Sequence, residues 1–171
     1  MMQPATSWVC DSCGESIESA ERGWVEWIRL PNVDGLPVPG CNIRIVHHKS
    51  DLPNRLGCQY STSRDPVTHS GSISDDALVE FLGPDGLTRL LQMIADQRLP
   101  TANLLEVIRR LHTPGYERAR PYFDDAVGAG VIGEETAASG YLRQDELQSV
   151  LDFAELCDED SVDDEDDEDG D

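Results

Sequence analysis

Cys10-Asp11-Ser12-Cys13-Gly14 constrains this chain more than any other segment. Two cysteines with two residues between them bring both sulfurs to one side of a tight turn, where a single ion can take both. The glycine directly after the second lets the backbone aim its amide groups at those sulfurs. Such a turn is half of a tetrahedral site, so the fold has to carry two further ligands to it. Five cysteines is an odd number, and Met1-Met2-Gln3-Pro4 leads into polar residues without a basic or apolar leader segment. A cytoplasmic chain whose cysteines bind metal is therefore expected, rather than a secreted one stapled by disulfides. No run approaches the ~20 apolar residues of a membrane span, so no membrane association is expected.

Trp8-Val9-Cys10-Asp11-Ser12-Cys13-Gly14 resembles the zinc-knuckle (CxxCG) module of zinc-ribbon and treble-clef proteins, over about the first sixty residues. The resemblance implies one structural zinc. It departs from the usual form because no second CxxC follows, and the remaining ligands have to come from Cys41, His47, His48 and Cys58. Cys58 follows a turn-like Asp51-Leu52-Pro53-Asn54 segment and is the natural third thiolate. Alternation along Asn42–His47 puts His47 on the face of Ile43 and Ile45, and His48 on the face of Arg44 and Val46. The more apolar face turns inward, which favours His47 as the fourth ligand. The expected metal set is Cys10, Cys13, His47 and Cys58, a Cys3His site that suits zinc better than a hard cation. Four protein ligands leave no position for a water nucleophile, so the metal is expected to be structural.

Two other readings compete. A lone CxxC also serves thiol redox chemistry, but thioredoxin-like motifs join a strand to a helix in an α/β unit, which this region does not show. Chance spacing is the second, since Cys41 and Cys157 show that the chain carries cysteines without an evident role. Zinc-dependent deamination would need a His-x-Glu and a Pro-Cys-x-x-Cys motif, and neither is present.

The rest of the pattern predicts an α+β chain in four parts: a zinc-binding β module over 1–60, a linker over 61–74, a helical module over 75–156 and a disordered acidic tail over 157–171. Trp24–Leu30 and Asn42–His47 read as two strands of a hairpin, joined by a loop dense in proline and glycine. Trp8, Trp24 and Trp27 are expected to fill the core of the β module. Ser74 is expected to cap a helix through Leu82 that carries Asp75 and Asp76 in its first turn. A second helix places Leu87, Leu90, Leu91 and Ile94 on one face, and a third Leu104, Leu105, Ile108 and Leu111. A fourth, bearing Tyr116, Ala119, Phe123, Ala126 and Val127 inward, meets Pro121 and is expected to kink or split there. Gly133–Gly140 reads as a hairpin or plain loop, and a last helix over 143–156 carries Leu147, Val150, Leu151 and Ala154 inward. That element order is compatible with a winged helix.

Charge limits the function. Acidic residues outnumber basic ones 34 to 13, a net charge of −21, and residues 155–171 alone hold 12 acidic side chains and no basic one. The would-be recognition helix carries Glu117, Arg118, Arg120, Asp124 and Asp125, whereas phosphate contact needs a basic surface, so direct nucleic-acid binding is not expected. Arg109, Arg110, Arg118 and Arg120 form a local basic patch in sequence that can receive the tail. No phosphate-binding glycine loop or Gly-x-Ser-x-Gly turn is present, and His69 and His112 stand alone. The expectation is a non-enzymatic, zinc-binding interaction or regulatory protein, its partner a protein and, for the tail, a basic one. The alternatives are a nucleic-acid-related regulator, by winged-helix binding or by mimicry of DNA through the tail, and a thiol-redox or metal-dependent enzyme.

Overall fold

The computed structural model describes residues 5–48 and 57–160. The fold is α+β, and among the described residues it divides at Pro114 into two units, each described by itself.

The first unit runs to Thr113. It contains β1 (Trp8–Val9), β2 (Ser16–Ile17), β3 (Gly23–Arg29), β4 (Cys41–His47) and β5 (Ser72–Ala77), followed by α1 (Gly83–Ala95) and α2 (Thr101–His112). β1 and β2 pair as a short antiparallel ribbon, and the other three form an antiparallel sheet in the order β4-β3-β5. β3 is the central strand, which is why its sequence does not alternate cleanly: Val25, Glu26, Trp27 and Ile28 are all buried. A strand flanked on both edges and covered on both faces reads as a continuous buried run. Register pairs Gly23 with His47 and Val25 with Ile45, so His47 shares the face of Ile45 and Val25.

β5 replaces the expected Ser74–Leu82 helix. Ser72 to Ala77 pair with Arg29 back to Trp24, and only Leu78–Phe81 form a 3-10 turn before α1. The polar Ser-Ile-Ser-Asp-Asp sequence has weak strand propensity, and pairing with the buried central strand overrides it. As an edge strand it carries charge, a common guard against pairing with other chains. Residues 61–74 accordingly hold a 3-10 turn at Pro66–Ser70, the buried Thr68 and the start of β5. α1 and α2 supply Leu90, Met93, Leu104, Val107 and Leu111 to the same core as Trp8, Cys10, Ile17, Val25 and Ile45. Their buried stripes differ slightly from the sequence pattern: Leu91 is 53% and Leu105 38% exposed, and Met93 and Val107 turn inward instead. Trp8 and Trp27 are core residues, while Trp24 is half-buried and packs on His48.

The second unit is helical: α3 (Tyr116–Ala119), a 3-10 turn at Arg120–Tyr122, α4 (Phe123–Gly128), α5 (Glu134–Ser139) and α6 (Gln144–Asp160). Pro121 lies inside the 3-10 turn and splits the helix there, as its missing donor and its ring require. Leu147, Val150, Leu151 and Ala154 are buried, with Tyr116, Ala119, Ala126, Ile132 and Leu142 around them. Gly133–Gly140, expected as a hairpin or loop, is a short helix with Glu134 and Glu135 in its first turn. No strand occurs among the described residues of this unit, so the winged-helix order does not materialise. α6 continues to Asp160, past the expected start of the tail at 157, and the expected disorder beyond it concerns residues outside those described. No helix among the described residues is long and apolar enough to cross a membrane.

Candidate metal centre

The Cys10–Cys13 turn closes the β1-β2 ribbon. Trp8 pairs with Ile17 and Val9 with Ser16. The Cys10 amide then donates to the Glu15 carbonyl at 2.9 Å, and the Gly14 amide to the Cys10 carbonyl at 2.9 Å. Gly14 sits at φ +76°, a left-handed conformation that a side chain would strain. Asp11 fastens this turn to β4. Its amide donates to the Ile45 carbonyl at 2.8 Å, and its carboxylate accepts the Ile45 amide at 2.7 Å. One aspartate thus occupies both backbone groups of Ile45, two residues from His47. Arg110, on α2 and 4% exposed, completes the lock. Its guanidinium donates to both Asp11 carboxylate oxygens at 2.8 Å and to the Val9 carbonyl at 2.8 Å. That two-pronged geometry is specific to arginine.

His47 ends β4 with its ring inside this assembly. Nε2 lies 3.1 Å from the Ser16 carbonyl, which only accepts, so Nε2 is the donor there and Nδ1 is the ring nitrogen that faces the sulfurs. Nδ1 is 3.5 Å from Cys13 Sγ and 3.8 Å from Cys58 Sγ. The ligand atoms of Cys10, Cys13, His47 and Cys58 all lie within 4.8 Å of one another. Metal–ligand bonds of about 2.0–2.3 Å in a tetrahedron place ligand atoms roughly 3.5–3.8 Å apart. With spacings up to 4.8 Å the four residues could hold a single ion after contracting by about 1 Å, and the histidine is already fixed by a carbonyl behind it, as ligating histidines commonly are. Cys10, His47 and Cys58 are buried and Cys13 is exposed, so the site lies under the surface with one side towards solvent.

Cys58 reaches the site through a buried ionic brace. Glu26, fully buried on β3, accepts from Arg44 Nε at 2.7 Å and from the Tyr60 amide at 2.9 and 3.0 Å. Arg44 also donates to the Cys58 carbonyl at 3.1 Å and lies 3.5 Å over the Tyr60 ring. Burial pushes the Glu26 carboxyl up, against the opposing pull of the Tyr60 amide and Arg44. The pair therefore holds the 58–60 segment to the sheet at some cost in desolvation.

The thiols report the charge state that the site can hold. Burial alone would push Cys10 up, but the backbone amides of Cys13, Ser12 and His47 bring it down to about 7. Cys58 goes the other way, to about 12, through burial and the negative charge of neighbouring Cys10. Loss of a proton is thus eased at Cys10 and opposed at Cys58. A divalent cation among the sulfurs reverses that repulsion, and its binding must expel protons.

Of the expected candidates, Cys10, Cys13, His47 and Cys58 come together. His48 does not join them: its ring packs against Trp24 at a tilt of 46°, with centroids 4.7 Å apart. Cys41, half-buried at the start of β4, is also outside the cluster. The arginines of the expected patch are divided between the two units and take separate partners. Arg110 is buried on Asp11, while Arg109 pairs with Glu106 at 3.2 Å and Arg120 with Glu117 at 3.5 Å. Sequence reasoning missed Asp11, Glu26, Arg44 and Arg110 as supports of the centre. A charged residue inside a buried strand was the signal available for Glu26, but nothing local marks Arg110. In comparisons with known proteins, no family model, no curated protein and no solved structure matches the chain.

Proposed function

We propose that this is a non-enzymatic zinc-binding protein of the cytoplasm, an interaction or regulatory module whose single zinc is structural. One observation carries the reading: a closed set of three thiols and an imidazole already poised by its Ser16 hydrogen bond. Three sulfurs and one nitrogen suit zinc, and a full tetrahedron leaves it no open position for catalysis. The CxxCG turn closing a two-stranded ribbon supports a knuckle of the zinc-ribbon type. The net charge of −21 disfavours a nucleic-acid ligand and supports a protein partner.

The test is elemental analysis of untagged, reduced protein. One zinc per chain is expected in the wild type and in His48→Ala, with loss in Cys10→Ser, Cys58→Ser and His47→Ala. His47→Cys should restore it, since four thiolates also form a structural zinc site. Metal-free wild-type protein would overturn the reading and leave Cys10 and Cys13 as a redox pair.

A further inference from the structure

Away from the metal, the far end of β3 opens into two cavities that meet at Arg29. One, of about 350 Å³, lies between the β3–β4 loop and the α1–α2 loop, with Trp27, Leu30, Val38, Ser74 and Arg98 in its walls. The other, of about 500 Å³, continues past Arg29 along His69 to Ser72. Arg29, Leu30 and Asn32 line both. Volumes of this order are those of ligand sites.

The walls are held by close backbone packing. Gly40 donates its amide to the Arg98 carbonyl at 2.7 Å and lies so near the Ile28 carbonyl that a Cβ there would collide with it. Gly71 sits equally close to the Arg29 carbonyl on the other side. Arg29 therefore emerges between two loops pinned against its own strand. It is exposed, and its guanidinium has no hydrogen-bond or ion-pair partner among the described residues. Arg98, the second cation, is 59% exposed and holds Asp96 at 3.2 Å. In a chain with only 13 basic residues, an arginine with no internal partner among the described residues, lining the same cavity as a second arginine among mixed polar and apolar walls, is suited to pair with an anionic group.

We propose that this trough binds an extended acidic peptide segment of a partner protein, with one carboxylate on Arg29 and apolar neighbours against Trp27, Leu30 and Val38. The inference rests on the interaction-module reading above but not on the metal. Two arginines against Asp96 leave one net positive charge, which matches a single carboxylate better than a phosphate dianion. The occupant is elongated because the space runs on both sides of Arg29. Long-range repulsion from the acidic chain is screened beyond ~8 Å at physiological salt, so the local cations decide.

The test uses the full, zinc-loaded chain and surfaces bearing nonapeptide pools. The central residue is fixed as Asp, Glu, Gln, Lys or phosphoserine, and the flanks are randomised among Gly, Val, Leu and Phe. Retention on the Asp and Glu pools is expected to exceed that on Gln and Lys pools at least tenfold. Arg29→Gln should abolish the difference, Arg98→Gln should reduce it, and Arg143→Gln, the same charge change on another unit, should not alter it. Equal retention on all pools, retention on none, a preference for phosphoserine, or insensitivity to Arg29→Gln would each overturn the proposal. Zinc content measured on the same preparations separates this failure from failure of the metal reading. Selective retention without zinc removes the metal reading alone, and zinc without selectivity removes the peptide site alone.

Discussion

Arg110 shows how far from the sulfurs the supports of the cysteine–histidine cluster are drawn. It satisfies both oxygens of Asp11 and the carbonyl of Val9, and Asp11 in turn holds the knuckle on β4. Arg110→Met removes the cation while keeping most of the apolar stem, and leaves a largely covered carboxylate without its counter-ion and, among the described residues, with only the Ile45 amide as partner. Because the Asp11 side chain is still 24% exposed, we expect a loss of about 2 kcal/mol rather than the ~3–5 kcal/mol of a fully buried pair, read from urea denaturation at fixed zinc. Zinc affinity measured by chelator competition should also fall about 10–100-fold, as for other outer-shell partners. His112 gives a pH signature. Burial pushes its imidazole down from 6.5, while Nε2 holds the Phe81 carbonyl at 2.9 Å. The native state then binds fewer protons than the unfolded one, so this contribution is present above about pH 6.5 and is lost as pH falls through the native pKa. His112→Gln should flatten the pH dependence of stability in acid relative to wild type. Taking the difference between the two proteins cancels the protonation of the zinc ligands, which both share.

β5 is the element on which sequence and structure part most clearly. A proline in the first turn of a helix is harmless, so Pro at Ser74 or Asp75 would be tolerated if this segment were the helix that its capping pattern suggests. In a strand, adjacent amides point alternately to the neighbour and away from it. One of Ser74→Pro and Asp75→Pro should therefore cost about 1–3 kcal/mol by breaking the ladder with β3, and the other much less. Thermal unfolding of the two variants checks this, and equal, small effects would contradict the strand. The helices were more legible. In α6, four aliphatics at helical spacing are all buried. Pro121 splits its helix for a reason that sequence states outright. Gly133–Gly140 was not legible, since a six-residue helix carries too few turns to show a period.

At the scale of the molecule, the core around the cysteine–histidine cluster extends well past residue 60. Cys10 and Cys58 share one core with Leu90, Met93, Leu104, Val107 and Leu111, and Arg110 is brought to Asp11 across a separation of 99 residues. A fragment of residues 1–60 should consequently fail to fold on adding zinc. A fragment of residues 1–113 should take up one zinc and show the dispersed amide spectrum of a folded domain. Folding of the shorter fragment alone would show that α1 and α2 are dispensable to the site. That Cys10, Cys13, His47 and Cys58 come together while His48 stays outside was legible in the chain, because CxxCG geometry is local and strand alternation has a fixed period. The brace of Glu26, Arg44 and Tyr60, the Arg110 lock, the strand at 72–77 and the division at Pro114 followed only from the tertiary structure. Each depends on which distant surfaces meet, and a buried charge or a weak strand former is held where it is by partners that sequence spacing does not reveal.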